Sequence, residues 1–210
     1  MHHFYLFVQS SQPVAPTFSG GNVYKYYMDD QQAIQRLKRG DIGGLEILVA
    51  RYQARAVRAA FLITHDELQA EDVVQEVFVR LYHKIGQFDA TRPFEPYLLR
   101  SVVNAALNST RRLRKQVSLD GDLRQVEQLL AQSLSVESEV DALQLQQQII
   151  TALAKLDPRQ RAAVVLRYYL EMSEKEMAAV LDAPPGTVKW LLNAARARLR
   201  DLLGVERSAP

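Results

Sequence analysis

Asp72 and Glu76 stand four residues apart, a spacing that sets two carboxylates on one face of a helix. Paired carboxylates can do acid–base work, but no partnering acid–base apparatus accompanies this pair. Cysteine is absent, which excludes a thiolate metal site, a cysteine nucleophile and a disulfide framework. Of the four histidines, His2 and His3 open an atypical first segment, while His65 and His83 stand isolated. No HExxH, glycine-rich phosphate loop or GxSxG is present. An enzyme is therefore a poor reading, and neither a metal nor a cofactor is expected. Side chains suited to binding are better represented. Arg100, Asn104 and Asn108 recur at four-residue steps, and Arg111, Arg112, Arg114 and Lys115 follow them. Amides in such a row can hydrogen-bond base edges, and the cations can hold phosphates.

The elements that carry these residues read as helices almost throughout. Ala33, Ile34 and Leu37 mark a short helix ended by Gly40. Leu45, Leu48, Val49, Tyr52, Ala56, Ala59 and Ile63 make one apolar stripe, broken at Thr64-His65-Asp66. A third stripe runs through Val73/Val74, Val77, Phe78, Leu81 and Ile85, with Gly86 closing the helix. With Val73, Val77 and Leu81 inward, its outer face offers Asp72, Gln75, Glu76, Val79 and Arg80, an acidic and amide-bearing surface suited to a basic helical partner. A loop bearing Asp89, Pro93 and Pro96 precedes a fourth helix over about 97–114. Four such stripes bury one another as a helical bundle.

The last block is punctuated by two capping signals. Asp157-Pro158-Arg159-Gln160 opens a helix with Val165, Leu166 and Tyr169 inward, and Ser173-Glu174-Lys175-Glu176 opens a short one with Met177, Ala178 and Leu181 inward. A turn through Asp182-Ala183-Pro184-Pro185-Gly186-Thr187 leads to a final helix over about 187–203, with Val188, Leu192, Ala195, Leu199 and Leu202 as its buried stripe. Short capped helix, turn with glycine, longer basic-flanked helix: this is the pattern of a helix-turn-helix.

Charge divides the 210 residues the same way. Net charge is +2, but 28–115 carries 14 Lys/Arg against 11 Asp/Glu and 147–210 carries 10 against 7. Between them, 116–146 holds one arginine against six acids: Asp120, Asp122, Glu127, Glu137, Glu139 and Asp141. Basic blocks can meet phosphates, whereas an acidic tether is repelled by them. The expected fold class is all-α: two small helical domains, at 28–115 and 147–205, joined by an acidic flexible linker at 116–146. Residues 206–210 are a tail. Residues 1–27 are set apart by seven of the 17 aromatics, one lysine and no acid, with Pro13, Pro16, Gly20 and Gly21 interrupting any helix. They read as a disordered extension or an upstream start ahead of Met28, with a docking arm as the other reading. Phe4-Tyr5-Leu6-Phe7-Val8 is too short to span a bilayer, so a soluble, cytoplasmic chain without a membrane partner is expected.

Several ordered motifs resemble a known family. Arg39-Gly40-Asp41, Leu48-Val49-Ala50-Arg51-Tyr52, the run from Ala70-Glu71-Asp72 to Arg80-Leu81-Tyr82, and Phe94-Glu95-Pro96-Tyr97-Leu98-Leu99-Arg100 resemble the core-binding domain of bacterial sigma factors. Leu156-Asp157-Pro158-Arg159-Gln160-Arg161 and Pro185-Gly186-Thr187-Val188-Lys189 resemble their promoter-reading domain, in the two-domain arrangement of the extracytoplasmic-function (ECF) group. The resemblance implies that Asp72, Gln75, Glu76, Val79 and Arg80 grip core RNA polymerase. It implies that Phe88, Phe94, Tyr97, Arg100, Asn104, Asn108, Arg111 and Arg112 read and open the minus-ten element, although Phe88 and Phe94, which could wall a base pocket, read first as core residues. Thr187, Lys189, Trp190, Asn193, Arg196 and Arg198 are then placed at the minus-thirty-five element. Polymerase's largest and second-largest subunits, promoter DNA and an anti-sigma factor are the implied partners, with no small-molecule substrate. The acidic connector would thread polymerase channels, its acids imitating phosphates, or serve as a plain linker.

Two positions depart from the pattern. Tyr97 stands where many relatives have tryptophan, and Trp190, Leu191 and Ala194 replace a Ser-Arg pair and a later arginine. Trp190 would pack on a partner, wedge against a thymine methyl, or fold back on a neighbouring helix, the last being the simplest. The function expected is an ECF-type sigma factor acting without catalysis. Its rivals are a helix-turn-helix regulator that binds duplex DNA without polymerase, and a sigma-like decoy that has lost promoter use.

Overall fold

The computed structural model describes residues 28–117 and 140–204, all in helices, turns and short loops. They form two compact units, 28–106 and 107–204. Residues 1–27, the linker acids Asp120, Asp122, Glu127, Glu137 and Glu139, and the 206–210 tail lie outside the described residues. Among the described residues, no helix is long and apolar enough to cross a membrane.

The first unit starts with α1 (Asp30–Lys38), whose N-terminal amides are held by Asp29: its carboxylate accepts from Gln32 N at 2.7 Å. Gly40 at φ +85° lets the chain turn sharply, as its place after the stripe predicts. The turn is tied by the Arg36–Asp41 ion pair (2.7 Å), and Asp41 also accepts from Gly43 N at 2.9 Å. These bonds hold the Asp41 carboxyl below the usual carboxylate range. Helix α2 (Gly43–Thr64) crosses α1 at Gly44, where an added Cβ would stand 2.2 Å from Ala33 O and 2.8 Å from Leu37 N. Only glycine permits that crossing.

Helix α2 ends at His65 in the left-handed region (φ +58°), and Asp66 caps α3 (Glu67–Lys84) by accepting from Gln69 N at 2.9 Å. The predicted break at Thr64-His65-Asp66 is thus a tight helix–helix reversal, and α2 and α3 pack along their length. Two boundaries differ from the sequence reading. Gly86 is not a helix terminator; it lies inside a 3₁₀ turn, Ile85–Gln87, that prolongs α3. Helix α4 (Phe94–Val117) starts three residues before the expected Tyr97. Its Pro96 falls in the first turn, where a missing N–H forfeits no helical hydrogen bond. Leu98, Leu99, Val102, Val103 and Ala106 of α4 join Leu48, Ile63, Val74 and Val77 in the core. Each such aliphatic side chain contributes about 1.5–3 kcal/mol on burial.

The second unit holds α5 (Val140–Ala154), α6 (Pro158–Val164), a π-helical turn (Val165–Tyr169), α7 (Glu174–Leu181) and α8 (Pro185–Leu203). Helix α5 takes in Asp141 at its N-terminal end. Asp157 caps α6 through Arg159 N at 2.9 Å, with Pro158 in the first turn. Buried Arg161 closes the α5–α6 turn by donating to Ala154 O and Leu156 O (3.1 and 3.2 Å). Ser173 and Glu176 form a complete capping box on α7. On α7 the buried residues are Met177, Val180 and Leu181; Val180 takes the place expected of Ala178, which is half-buried. The left-handed residue of the α7–α8 turn is Asp182 (φ +45°), not Gly186, which already belongs to α8. Aspartate is one of the few side chains that visit this region readily.

Candidate functional site

Three surfaces carry the residues singled out above. The first lies on α3, where Asp72, Gln75, Glu76, Val79 and Arg80 are all exposed while Val73, Val74, Val77, Phe78 and Leu81 face the core. Arg80 donates to Glu76 one turn away, an ion pair with both side chains more than half exposed. A pair in that setting contributes about 0–1 kcal/mol, so both partners are readily recruited to an incoming surface.

Beside this face runs a groove of about 490 Å³ lined by Ile42, Leu45, Val49, Val74, Phe78 and Tyr82, with Gln75 and Val79 at its edge. Leu45 and Val49 belong to it and are only half-buried, whereas the periodicity counts them with the core. The stripe predicts an apolar face but not what covers it. Ile47 and Leu48 are the buried residues of that turn of α2. Ile42, Val79 and Tyr82 remain 50, 52 and 40% exposed, a concentration of bare apolar surface that the sequence reading missed except for Val79. Its only signal there was an isoleucine and a tyrosine flanking stripe positions.

The second surface lies on α4. Phe88 and Phe94 are 7 and 2% exposed and stack edge-on with ring centroids 5.8 Å apart, so both belong to the core. Tyr97 packs on Phe88 at 4.8 Å between centroids but keeps 39% of its surface open. Phe88 thus packs against the exposed ring of Tyr97, and Phe94 packs against Phe88. Tyr52 completes the cluster, 5.6 Å from Phe94. Its hydroxyl donates to Asp30, and burial together with that carboxylate pushes its pKa well up. Beyond Tyr97, Arg100 and Asn108 are exposed and Asn104 is half-buried, and Arg111 and Arg112 extend the row in solvent.

The third surface is the outer side of α8. Val188, Leu191, Leu192, Ala195 and Leu199 are buried, and Leu202 is half-buried. Leu191, which stands where a polar or cationic residue was looked for, is thus a core residue. Thr187, Lys189, Asn193 and Arg198 are exposed. Trp190 is 63% exposed and does not fold back on a neighbouring helix, which corrects the simplest expectation. It lies almost opposite the buried stripe of α8. Arg196 is held in place: its Nε donates to the Tyr168 hydroxyl at 2.9 Å, its guanidinium lies 5.9 Å from that ring's centroid, and Nη1 donates to Asn193 Oδ1 at 3.3 Å. Other arginines of the unit tie carbonyls instead. Arg159 donates to Leu181 O at the end of α7 (2.9 Å), and Arg167 to Met172 O (3.0 Å).

A helical bundle with an exposed acidic and apolar face, followed by a capped helix-turn-helix, is the architecture of a two-part transcription factor. Two family models match it: Sigma-70 region 2 over residues 48–116 and Sigma-70, region 4 over residues 146–199. The chain is 32% identical over 164 residues to the RNA polymerase sigma factor CnrH of Cupriavidus metallidurans, covering 76% of this chain and 86% of that one. It is 29% identical over 179 residues to the ECF RNA polymerase sigma factor SigW of Bacillus subtilis, covering 82% and 96%. Among solved structures it is similar to CnrH in complex with the cytosolic domain of CnrY, with a TM-score of 0.58, 27% identity, and 84% and 98% of the two chains covered. The fold is also that of the sigma factor RpoE, captured with the anti-sigma factor NepR from Bartonella quintana (TM-score 0.60, 23% identity, 77% and 98% covered). The chain belongs to the ECF sigma factors of bacterial RNA polymerase. It is a non-enzymatic initiation factor that directs polymerase to promoters, and the stand-alone regulator reading gives way.

Proposed function

We propose a division of this work among the three surfaces. The α3 face of Asp72, Gln75, Glu76, Val79 and Arg80, with the neighbouring apolar groove, docks on core polymerase. Carboxylates and an amide beside bare apolar side chains suit a helical partner that carries both cations and an apolar ridge. The observation that carries the reading is the exposure of every residue of that face alongside Ile42 and Tyr82. The α4 row of Tyr97, Arg100, Asn104, Asn108, Arg111 and Arg112 engages the minus-ten element. An exposed ring can stack on an unpaired base, and the amides and cations beyond it can hold the opened strand. Helix α8 presents Thr187, Lys189, Trp190, Asn193, Arg196 and Arg198 to the minus-thirty-five duplex. The domains are then 28–115 for polymerase and minus-ten contacts and 147–205 for the upstream contact. CnrH is known in complex with the cytosolic domain of CnrY, and a protein that masks the surfaces of this chain would be the natural restraint on it in the cytoplasm.

The test compares the intact protein with a Glu76→Lys/Gln75→Ala variant and with Asn104→Ala. The first variant is expected to bind core polymerase about tenfold or more weakly, with unchanged helix content and melting temperature. Asn104→Ala is expected to keep polymerase affinity and lose promoter opening, read by permanganate footprinting of the melted strand. Undiminished polymerase binding by the first variant, or equal loss of both activities in the second, overturns the assignment.

A further inference from the structure

Resting on the placement of α8 at duplex DNA, we propose that Trp190 reads thymine methyl groups in the major groove of the upstream promoter element. Trp190 is a large apolar side chain left 63% exposed on a helix whose other outward residues are polar or small, with indole surface free to meet an apolar group. The buried stripe of Val188, Leu191, Leu192, Ala195 and Leu199 centres on one side of α8. At 100° per residue, Trp190 falls nearly opposite, in line with Gly186, Asn193 and Ala197. It also sits in the second turn of the second helix of the motif, and the N-terminal part of that helix is what meets base edges.

The surroundings favour nucleic acid over a protein. Lys189 and Asn193 are exposed near Trp190 on the helix surface, and Arg196, about a turn and a half further on, is oriented by Tyr168 from the π turn. Arg198 and Arg200 continue along the helix. Such a ring of donors suits phosphates around a groove floor. Within that groove the thymine C5-methyl is the apolar feature that distinguishes one base pair from another. An indole reads it by displacing water rather than by hydrogen bonding, so its preference follows the methyl and not the base's Watson–Crick edge. Gly186, one turn before Trp190, has no atom within 4 Å of where a Cβ would stand, and so leaves room beside the ring.

The experiment uses full-length protein assembled with core polymerase. Duplexes randomised upstream are selected for holoenzyme binding, and the winners are resynthesised with deoxyuridine replacing thymine in the upstream element only. Wild-type holoenzyme is expected to select thymine at one or two positions and to lose roughly fourfold in affinity per methyl removed, the weight of one buried methyl group. Trp190→Ala is expected to bind the thymine duplex as weakly as wild type binds the deoxyuridine one, and to be indifferent to the exchange. Trp190→Phe keeps part of the sensitivity. Equal loss on methyl removal by wild type and Trp190→Ala overturns the proposal, as does an unchanged selected sequence in Trp190→Ala. Normal DNA behaviour in Trp190→Ala with loss of a bound regulatory protein overturns it in favour of a protein contact. Failure of wild type to select any upstream sequence, with minus-ten selection intact, instead refutes the placement of α8 on which the proposal rests.

Discussion

Arg196 shows how a single side chain is prepared for its task. A long cation on a solvent-facing helix loses rotamer freedom when it binds, a cost of up to about 2 kcal/mol. The Tyr168 hydroxyl and ring meet part of that cost in advance by fixing Nε and stacking beside the guanidinium. Tyr168→Phe keeps the ring and removes only the hydroxyl. Holoenzyme carrying it is expected to bind upstream duplex about twofold to fivefold more weakly, the net weight of one hydrogen bond. Its salt dependence should be unchanged, because the number of cations meeting phosphates is the same. A shallower salt slope would mean that Arg196 had left the DNA altogether. Phe88 and Phe94 teach the opposite lesson. Aromatic residue type suggests base stacking, but both are buried, and only Tyr97 keeps an open edge. Nothing local distinguishes the three, since burial depends on which helix lies above each ring.

At the scale of elements, the helix ends were the most legible feature. Asp157 and Ser173 each accept an N-terminal amide, as the two capping signals imply, and Asp29 and Asp66 do the same at helix starts the sequence reading left without a cap. Glycines and prolines were less reliable guides. Pro96 sits inside α4, and Gly86 and Gly186 sit inside helical turns, because a first-turn proline is harmless and a glycine need not adopt positive φ. Gly44 was invisible as a packing residue, yet it sets the α1–α2 crossing through its approach to Ala33 O. Gly44→Ala must push the helices apart, at a cost of about 1–3 kcal/mol. Amide hydrogen exchange in α1 and α2 is expected to accelerate by roughly tenfold to a hundredfold, with α7 and α8 unaffected. Unchanged exchange in α1 would show that the crossing adjusts without cost.

For the whole molecule, each of the two compact units buries apolar stripes of its own helices. Residues 1–27 add aromatic side chains but match neither family model, which begin at residues 48 and 146. Deleting them is expected to leave polymerase affinity within about twofold, measured by competition against full-length protein. A larger loss would identify them as a working arm. Helical class, cap positions, the two-block division and the exposed rows on α3, α4 and α8 were all determined by the sequence, because period and capping act within a few residues along the chain. The tertiary structure alone decided which apolar positions stay bare. The groove at Leu45, Val49 and Tyr82, the burial of Leu191 and the exposure of Trp190 depend on where a neighbouring helix ends, and that is a relation between segments far apart in the chain.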